Sequence, residues 1–227
     1  MKLSIIIPVY NERNTIREIL KRVSKVPLEK EILVVDDCSK DGTKEILLSL
    51  SADCAPIKIL YHEKNKGKGQ AIKTALKYIT GDIVIIQDAD LEYDPQDYPE
   101  LIKPIISGRS DVVYGSRILG GFRGKYFRYY WGGRLVNFLT NFLYRVDITD
   151  ESTCYKVFRS KVILGISLEA SGFDFCVEIT AKLCNLGHKI YEVPIHYYPR
   201  GFAEGKKIRW KDGFIAICSL LKYKFRK

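Results

Sequence analysis

Asp88 and Asp90 stand one residue apart in the stretch VIIQDADLEYDP, directly after a wholly apolar run. Two carboxylates so placed can converge on one hard cation and still leave coordination positions open, as magnesium or manganese requires when it also binds a diphosphate. Glu92 is a candidate third ligand, while Asp94 and Asp97 belong to helix-start grammar, DPQD before YPELI, and are assigned to turn and N-cap roles. An acidic loop opening a helix would read the same way, but here the acids follow a buried strand. Other polar clusters also follow apolar runs: Pro8 to Glu12, Asp36-Asp37, His62 to Gly69, and Gly115-Ser116-Arg117. The pair Asp36-Asp37 suits ribose hydroxyls or a base N–H as well as a helix cap. The glycine-rich, basic HEKNKGKGQA can close over an anion at a helix start. It lacks the P-loop pattern, and no dinucleotide-binding glycine fingerprint follows the first apolar run.

The elements that must position these residues alternate. LSIIIP, KEILVVDD, PIKILYH, DIVIIQD and DVVYGS are short β-rich runs, with helical patterns near 14–24, 43–50 and 68–79. Strand and helix repeated in this way predict an α/β fold with a mainly parallel, Rossmann-like sheet flanked by helices. Ligands then sit beyond the carboxyl ends of the strands, where the polar clusters lie. In the second half TCYKVFR and KIYEVPIHYYP read as strands and FCVEITAKLCNLG as a helix closed by Gly187. Residues 127–145 and 208–225 read as amphipathic helices. The first would set Trp131, Leu135, Phe138 and Phe142 on one face and Arg134, Asn137, Asn141 and Arg145 on another; the second would align Phe214, Ile217, Leu221 and Phe225 beside lysines. The first stripe suits core or a lipid interface alike, and the second is expected to meet the membrane or an oligomer partner.

Composition narrows the classes. With 227 residues and 46% hydrophobic content the chain can bury a core, which excludes a disordered protein. The formal net charge of +10 favours an anionic partner, and residues 200–227 hold nine basic and two acidic side chains. Six scattered cysteines without a C-x-x-C pair read as reduced, mostly core thiols of a cytoplasmic protein. The first apolar run is too short for a signal peptide, and nothing reaches the roughly 18 apolar residues of a membrane span.

Taken together, SIIIPVYNE, ILVVDDCSKDGT, NKGKGQAI, GDIVIIQDADLEYDP, VVYGSRI, ITDESTCYKVFR and GFDFCVEITAKLCNLGHKIYEVPIHY resemble the inverting family 2 glycosyltransferases of GT-A fold, specifically the dolichol-phosphate mannosyltransferase and dolichol-phosphate glucosyltransferase group. The resemblance runs from residue 3 to about residue 213. It implies a single GT-A domain with a nucleotide-sugar half at 1–118, an acceptor half at 119–207 and a basic amphipathic tail helix at 208–227. It implies Mg2+ or Mn2+, a donor such as UDP-glucose or GDP-mannose, and a polyprenyl (dolichyl) phosphate acceptor at the cytoplasmic membrane face. Donor-binding positions are Pro8, Tyr10, Glu12, Asp37, Lys68, Asp88 and Ala89, and metal positions are Asp88, Asp90 and Glu92. Related mannosyltransferases carry Gln where this chain has Glu92, and the exchange adds a negative charge. Asp90, Arg117 and Arg134 match catalytic positions, and Arg117, Arg134, Arg200 and Lys206 match those that face the acceptor phosphate. HEKNKGKG and TCYKVFR look closer to the glucosyl branch. Many relatives continue into transmembrane segments, whereas this sequence ends at KYKFRK, so the expectation is peripheral membrane contact or a membrane-anchoring partner.

A phosphate acceptor also suits the residues chemically. A phosphomonoester has a second pKa of about 6, so it attacks as an anion without a strong base. A glycan hydroxyl acceptor would instead need a carboxylate base, for which Asp174 and Glu178 are the candidates. A non-enzymatic nucleic-acid binder would use the positive charge but leaves the acidic strand ends unexplained, so no nucleic-acid partner is expected.

Overall fold

The computed structural model describes residues 1–51, 57–123, 127–201 and 210–225. Seven strands form one sheet in the order β3-β2-β1-β4-β6-β5-β7. They are β1 (Leu3–Val9), β2 (Lys30–Asp36), β3 (Ile57–Tyr61), β4 (Ile83–Ile86), β5 (Val112–Ser116), β6 (Lys156–Arg159) and β7 (Ile190–Pro194). The central strands are mostly apolar and buried on both faces, as a sheet covered by helices demands, with Ser4 and Ser116 the buried polar exceptions in β1 and β5. Helix α1 (Ile16–Lys25) buries Ile16, Ile19, Leu20 and Val23, a stripe at helical spacing. Helices α2 (Thr43–Ser51), α3 (Lys68–Leu76) and α4 (Tyr98–Ile106) follow β2, β3 and β4.

Register decides what the sheet presents at its edge. Val9 of β1 is paired with Asp36 of β2, and Ile6 with Ile86 of β4, so the polar residues after all three strands emerge on one side. Ser116 of β5 is aligned with Pro194 of β7, which brings Arg117 and the residues after β7 to that side too. Strand β6 alone runs the other way, antiparallel to both β4 and β5. Because it is reversed, its leading segment 148–155 arrives at the same edge from which the other strands leave.

Helix α5 (Phe127–Tyr144) packs with α7 (Phe175–Asn185) and α8 (Trp210–Phe225) around Val136, Tyr144, Val177, Ala181, Leu220 and Tyr223. A short α6 (Ser160–Leu164) follows β6. Helix α7 closes at Gly187, whose φ of 77° is the left-handed conformation that a helix terminus favours, with the Gly187 and His188 amides donating to Cys184 and Leu183. The expected polar face of α5 is divided: Asn137 Nδ2 and Asn141 Nδ2 both donate to the Ile148 carbonyl, while Arg134 and Arg145 are exposed. Trp131, Leu135, Phe138 and Phe142 stay exposed, each by more than half. On α8, Phe214, Leu221 and Phe225 are exposed while Leu220 and Tyr223 are buried. The five cysteines among the described residues are all free, with Cys154 buried and Cys218 exposed.

Candidate active site

The end of β4 is fixed from below. Gln87 is fully buried, its Oε1 accepts from Tyr98 OH at 2.6 Å and Tyr155 OH at 2.7 Å, and its amide donates to the Asp88 carbonyl at 2.8 Å. The chain then turns through buried Ala89 and Asp90 to Leu91, which holds a φ of 63° while the Glu92 N–H donates to Asp90 Oδ1 at 3.1 Å. A left-handed leucine is costly, and such strain tends to gather at functional turns. Here it turns the chain after Asp90 so that the Glu92 N–H reaches back to the Asp90 carboxylate.

Each aspartate has a cationic neighbour. Lys68 Nζ, from the first turn of α3, lies 2.6 Å from Asp88 Oδ1, and Arg200 lies 3.3 Å from Asp90 Oδ2. Burial alone would raise the Asp88 carboxyl, but the Lys68 ammonium outweighs it and holds Asp88 below the usual carboxylate range. Asp90 moves the other way. Desolvation, then the negative charges of Asp88 and Glu92, push it up to about 7. Negative charge is therefore concentrated beyond what the side chains neutralise, on hard oxygen donors, and that is the environment a divalent magnesium or manganese ion fits. Among the described residues no three His, Cys, Asp or Glu side chains converge as a ligand group.

Glu92, expected as a third ligand, is turned to another task. Its Oε2 accepts from Tyr197 OH at 2.7 Å and its Oε1 from the Arg200 N–H at 2.9 Å, so the carboxylate pins the segment after β7. Asp97 departs likewise from its expected cap role. Its side chain makes no cap bond and instead accepts from His196 N at 2.8 Å while meeting His196 Nδ1 at 2.7 Å. Asp94 does cap, taking the Gln96 N–H at 3.0 Å.

The expected donor residues line the ends of β1 and β2. Pro8 and Tyr10 flank the last residue of β1, and buried Glu12 accepts from Thr15 Oγ1 at 2.8 Å and from Arg200. Asp37 is also buried and faces inward: Lys66 N, Gly67 N and His62 Nδ1 contact its carboxylate at 2.8, 2.7 and 2.7 Å. It thus shapes the glycine-rich loop rather than offering a free carboxylate. Gly67 is required there twice over, since its φ is 89° and a Cβ would come 2.4 Å from the Ser171 carbonyl oxygen. The Ser171 loop is held in turn by Glu178, which is fully buried and accepts from Glu169 N and Ala170 N at 2.7 Å each and from Lys182 Nζ at 2.6 Å. Asp174 precedes α7 and accepts from Gly172 N at 3.2 Å.

Arg117 and Arg134 meet on the segment that β6 brings in. Arg117 grips Asp150 through Nε at 2.8 Å and a terminal nitrogen at 2.7 Å, its backbone N–H adds a third bond at 2.9 Å, and the guanidinium lies 5.1 Å from the Tyr197 ring centre. Arg134 is exposed and reaches the Thr149 carbonyl at 3.4 Å. Asp150, which sequence reasoning did not single out, is therefore the residue that aims Arg117. Its signal was an acid ahead of a strand, readable only once that strand is known to be reversed. Lys206 lies outside the described residues.

Strand order with one reversed strand, carboxylates at the end of β4 and helices on both faces define the GT-A fold class. The chain belongs to glycosyl transferase family 2, whose family model matches residues 4–165. It is 34% identical over 214 residues to the dolichol-phosphate mannosyltransferase of Pyrococcus furiosus, covering 91% of this chain and 59% of that protein, so it spans less than two thirds of that relative's length. It is 29% identical over 222 residues to the undecaprenyl-phosphate mannosyltransferase of Micrococcus luteus, covering 91% of this chain and 87% of the relative. Among solved structures, glucosyl-3-phosphoglycerate synthase from Mycobacterium tuberculosis in complex with Mn2+, UDP and phosphoglyceric acid superposes with a TM-score of 0.75 at 20% identity, covering 99% of this chain and 78% of that one. The same synthase with Mg2+ and UDP gives 0.72 at 19% identity, covering 98% and 79%. These likenesses establish the shared fold.

Proposed function

We propose that the chain transfers a hexose, glucose or mannose, from a nucleotide diphosphate sugar to a polyprenyl phosphate at a membrane surface, with inversion at the anomeric carbon. The observation that carries the reading is the pairing, at one sheet edge, of Asp88 with Lys68 and of Asp90 with Arg200, beside an Arg117 that Asp150 holds. Such an edge has groups for a cation and for anionic oxygens, and of the two candidate bases for a hydroxyl acceptor Glu178 is fully buried, which leaves only Asp174 for that alternative. The relatives named as mannosyltransferases of dolichol phosphate and undecaprenyl phosphate support the same acceptor class.

Asp88 and Asp90 would hold Mg2+ or Mn2+, which when bound supplies positive charge to the leaving diphosphate. Lys68 keeps Asp88 ionised for that role. The β1 and β2 ends, with Pro8 and Tyr10, receive the nucleotide, and the loop shaped by Asp37 closes beside it. An acceptor phosphate oxygen, already anionic, attacks the anomeric carbon as the bond to the diphosphate breaks, and the electron pair leaves with the nucleotide. One in-line displacement inverts the configuration. Arg117 and Arg134 offset the repulsion between two anions brought together, and Asp150 keeps the Arg117 fork aimed.

Membrane contact is assigned to α5 and α8. No helix among the described residues is long and apolar enough to cross a membrane. The Trp131, Leu135, Phe138 and Phe142 stripe of α5 is nonetheless turned outward, and α8 exposes Phe214 and Phe225 together with Lys211, Lys222 and Lys224. Exposed aromatics beside basic side chains suit an interface with anionic headgroups. The test is a single-turnover assay with purified protein, Mn2+ or Mg2+, labelled UDP-glucose and GDP-mannose in parallel, and a short polyprenyl phosphate in detergent, with Asp90→Ala as control. Label entering the lipid fraction from one donor, and lost in the control, is expected. No transfer from either donor, with nucleotide still bound in a metal-dependent way, would sink this acceptor or these donors.

A further inference from the structure

The guanidinium of Arg200 lies among the carboxylates that build the donor end of the site. It approaches Asp90 Oδ2 at 3.3 Å and donates to both oxygens of Glu12 at 3.2 Å, with a side chain only 13% exposed. Its backbone is held separately, the N–H donating to Glu92 Oε1 at 2.9 Å while Tyr197 OH occupies the other oxygen at 2.7 Å. Asp88 has its own counter-charge in Lys68 at 2.6 Å. Both members of the aspartate pair are thus matched by a cationic side chain, one from α3 and the other from the segment after β7.

Resting on the reading of Asp88 and Asp90 as the cation site, we propose that Arg200 is a built-in counter-cation that holds Asp90 in the empty site and competes with the divalent ion for it. A carboxylate as enclosed as Asp90, itself 13% exposed, does not accept a second cation beside a guanidinium without strong repulsion. Entry of the ion therefore turns the guanidinium away from Asp90, while the bond from the Arg200 N–H to Glu92 keeps the residue at the site. The released fork then meets an anionic oxygen, on the donor diphosphate or on the acceptor phosphate, which it binds with two parallel hydrogen bonds. The exchange imposes an order: phosphate-binding charge is delivered from the segment after β7 only when the ion has loaded.

The experiment is a titration with Mn2+ alone, without nucleotide, in which free ion is counted by electron paramagnetic resonance. Wild-type protein is compared with Arg200→Gln and Arg200→Met, which remove the charge, and with Arg200→Lys, which keeps it. Two charge-free variants guard against one failing to fold, and thermal denaturation identifies the folded one. Charge-free variants are expected to bind Mn2+ at least tenfold more tightly than wild type, and Arg200→Lys to stay within about threefold of it. Equal or weaker binding in a folded charge-free variant overturns the competition and leaves the cation site and the transfer reading standing. Failure of all the proteins to bind Mn2+ overturns the cation site, and the inference with it.

Discussion

Asp150→Asn is the change that most sharply separates structural from catalytic roles at this edge. The carboxylate is 6% exposed, the Arg117 side chain 19%, and three hydrogen bonds join them. Removing one charge of a buried, paired set typically costs about 3 to 5 kcal/mol, because the partner is left uncompensated. The asparagine keeps one acceptor oxygen and Arg117 keeps its contact with the Tyr197 ring, so the lower figure, about 3 kcal/mol, applies. At roughly 2 to 4 °C per kcal/mol for a domain of this size, the midpoint should fall by about 6 to 12 °C. Adding Arg117→Gln removes the stranded charge, and replacing both partners of a buried pair is far less costly than removing one. The double variant should therefore recover about 2 kcal/mol relative to Asp150→Asn, a coupling that urea denaturation of all four proteins measures as a double-mutant cycle. Transfer activity should stay lost in the double variant, since a folded protein without the Arg117 fork still lacks its phosphate contact. An Asp150→Asn midpoint within 2 °C (about 0.5 to 1 kcal/mol) of wild type, or a double variant no more stable than the single, would refute the positioning argument. A stable and fully active double variant would remove Arg117 from catalysis.

Gly67→Ala should destabilise the protein by about 2 kcal/mol or more, from the forbidden φ and the Ser171 clash together, and weaken nucleotide binding as Asp37 loses its loop amides; an unchanged urea midpoint would contradict this. Glu31 sits at the other end of the sheet, where burial is outweighed by hydrogen bonds from Ser4, Thr80 and Lys2 that lower its carboxyl from 4.5 to about 2. A depressed folded-state value means stability present above about pH 4.5 and lost as pH falls toward 2, worth about 3 kcal/mol across that window. Stability measured from pH 2 to 6 should accordingly slope less in Glu31→Gln than in wild type, and parallel curves would exclude the assignment. Phe138 and Phe142 stack on each other at 6.4 Å while exposed, so Asp at both positions should shift stability by no more than about 0.5 kcal/mol yet abolish co-sedimentation with anionic vesicles; retained co-sedimentation would dismiss α5 as the membrane face.

The sheet was legible because each apolar run is short, β-branched and followed by polar residues, and that alternation leaves few topologies. The helix bounds at 14–24, 43–50 and 127–145 come within about two residues of those observed, since amphipathic spacing is a local property. What local pattern does not carry is partnership across the sheet. Glu92 reads as a metal ligand from its spacing, yet its partner Tyr197 is 105 positions away, and Asp97 finds His196 99 positions away. Strand β6 was recognised as a strand, but its direction depends on where the chain re-enters the sheet, and that hid Asp150. On α5 the helix was legible from spacing but its packed face was not: Val136, Leu139, Leu143 and Tyr144 meet α7 and α8, and Asn137 and Asn141 reach the Ile148 carbonyl, contacts that no periodicity reveals.

Whether the acceptor is a phosphate on a polyprenyl chain is decided by offering the enzyme a polyprenyl phosphate and the matching polyprenol in parallel with the donor that turns over. Nucleotide release and a mild-acid-labile lipid-linked sugar are expected only with the phosphate, which is already an anion and attacks without a strong base. Equal transfer to the polyprenol, or a product stable to mild acid, would contradict a phosphate acceptor.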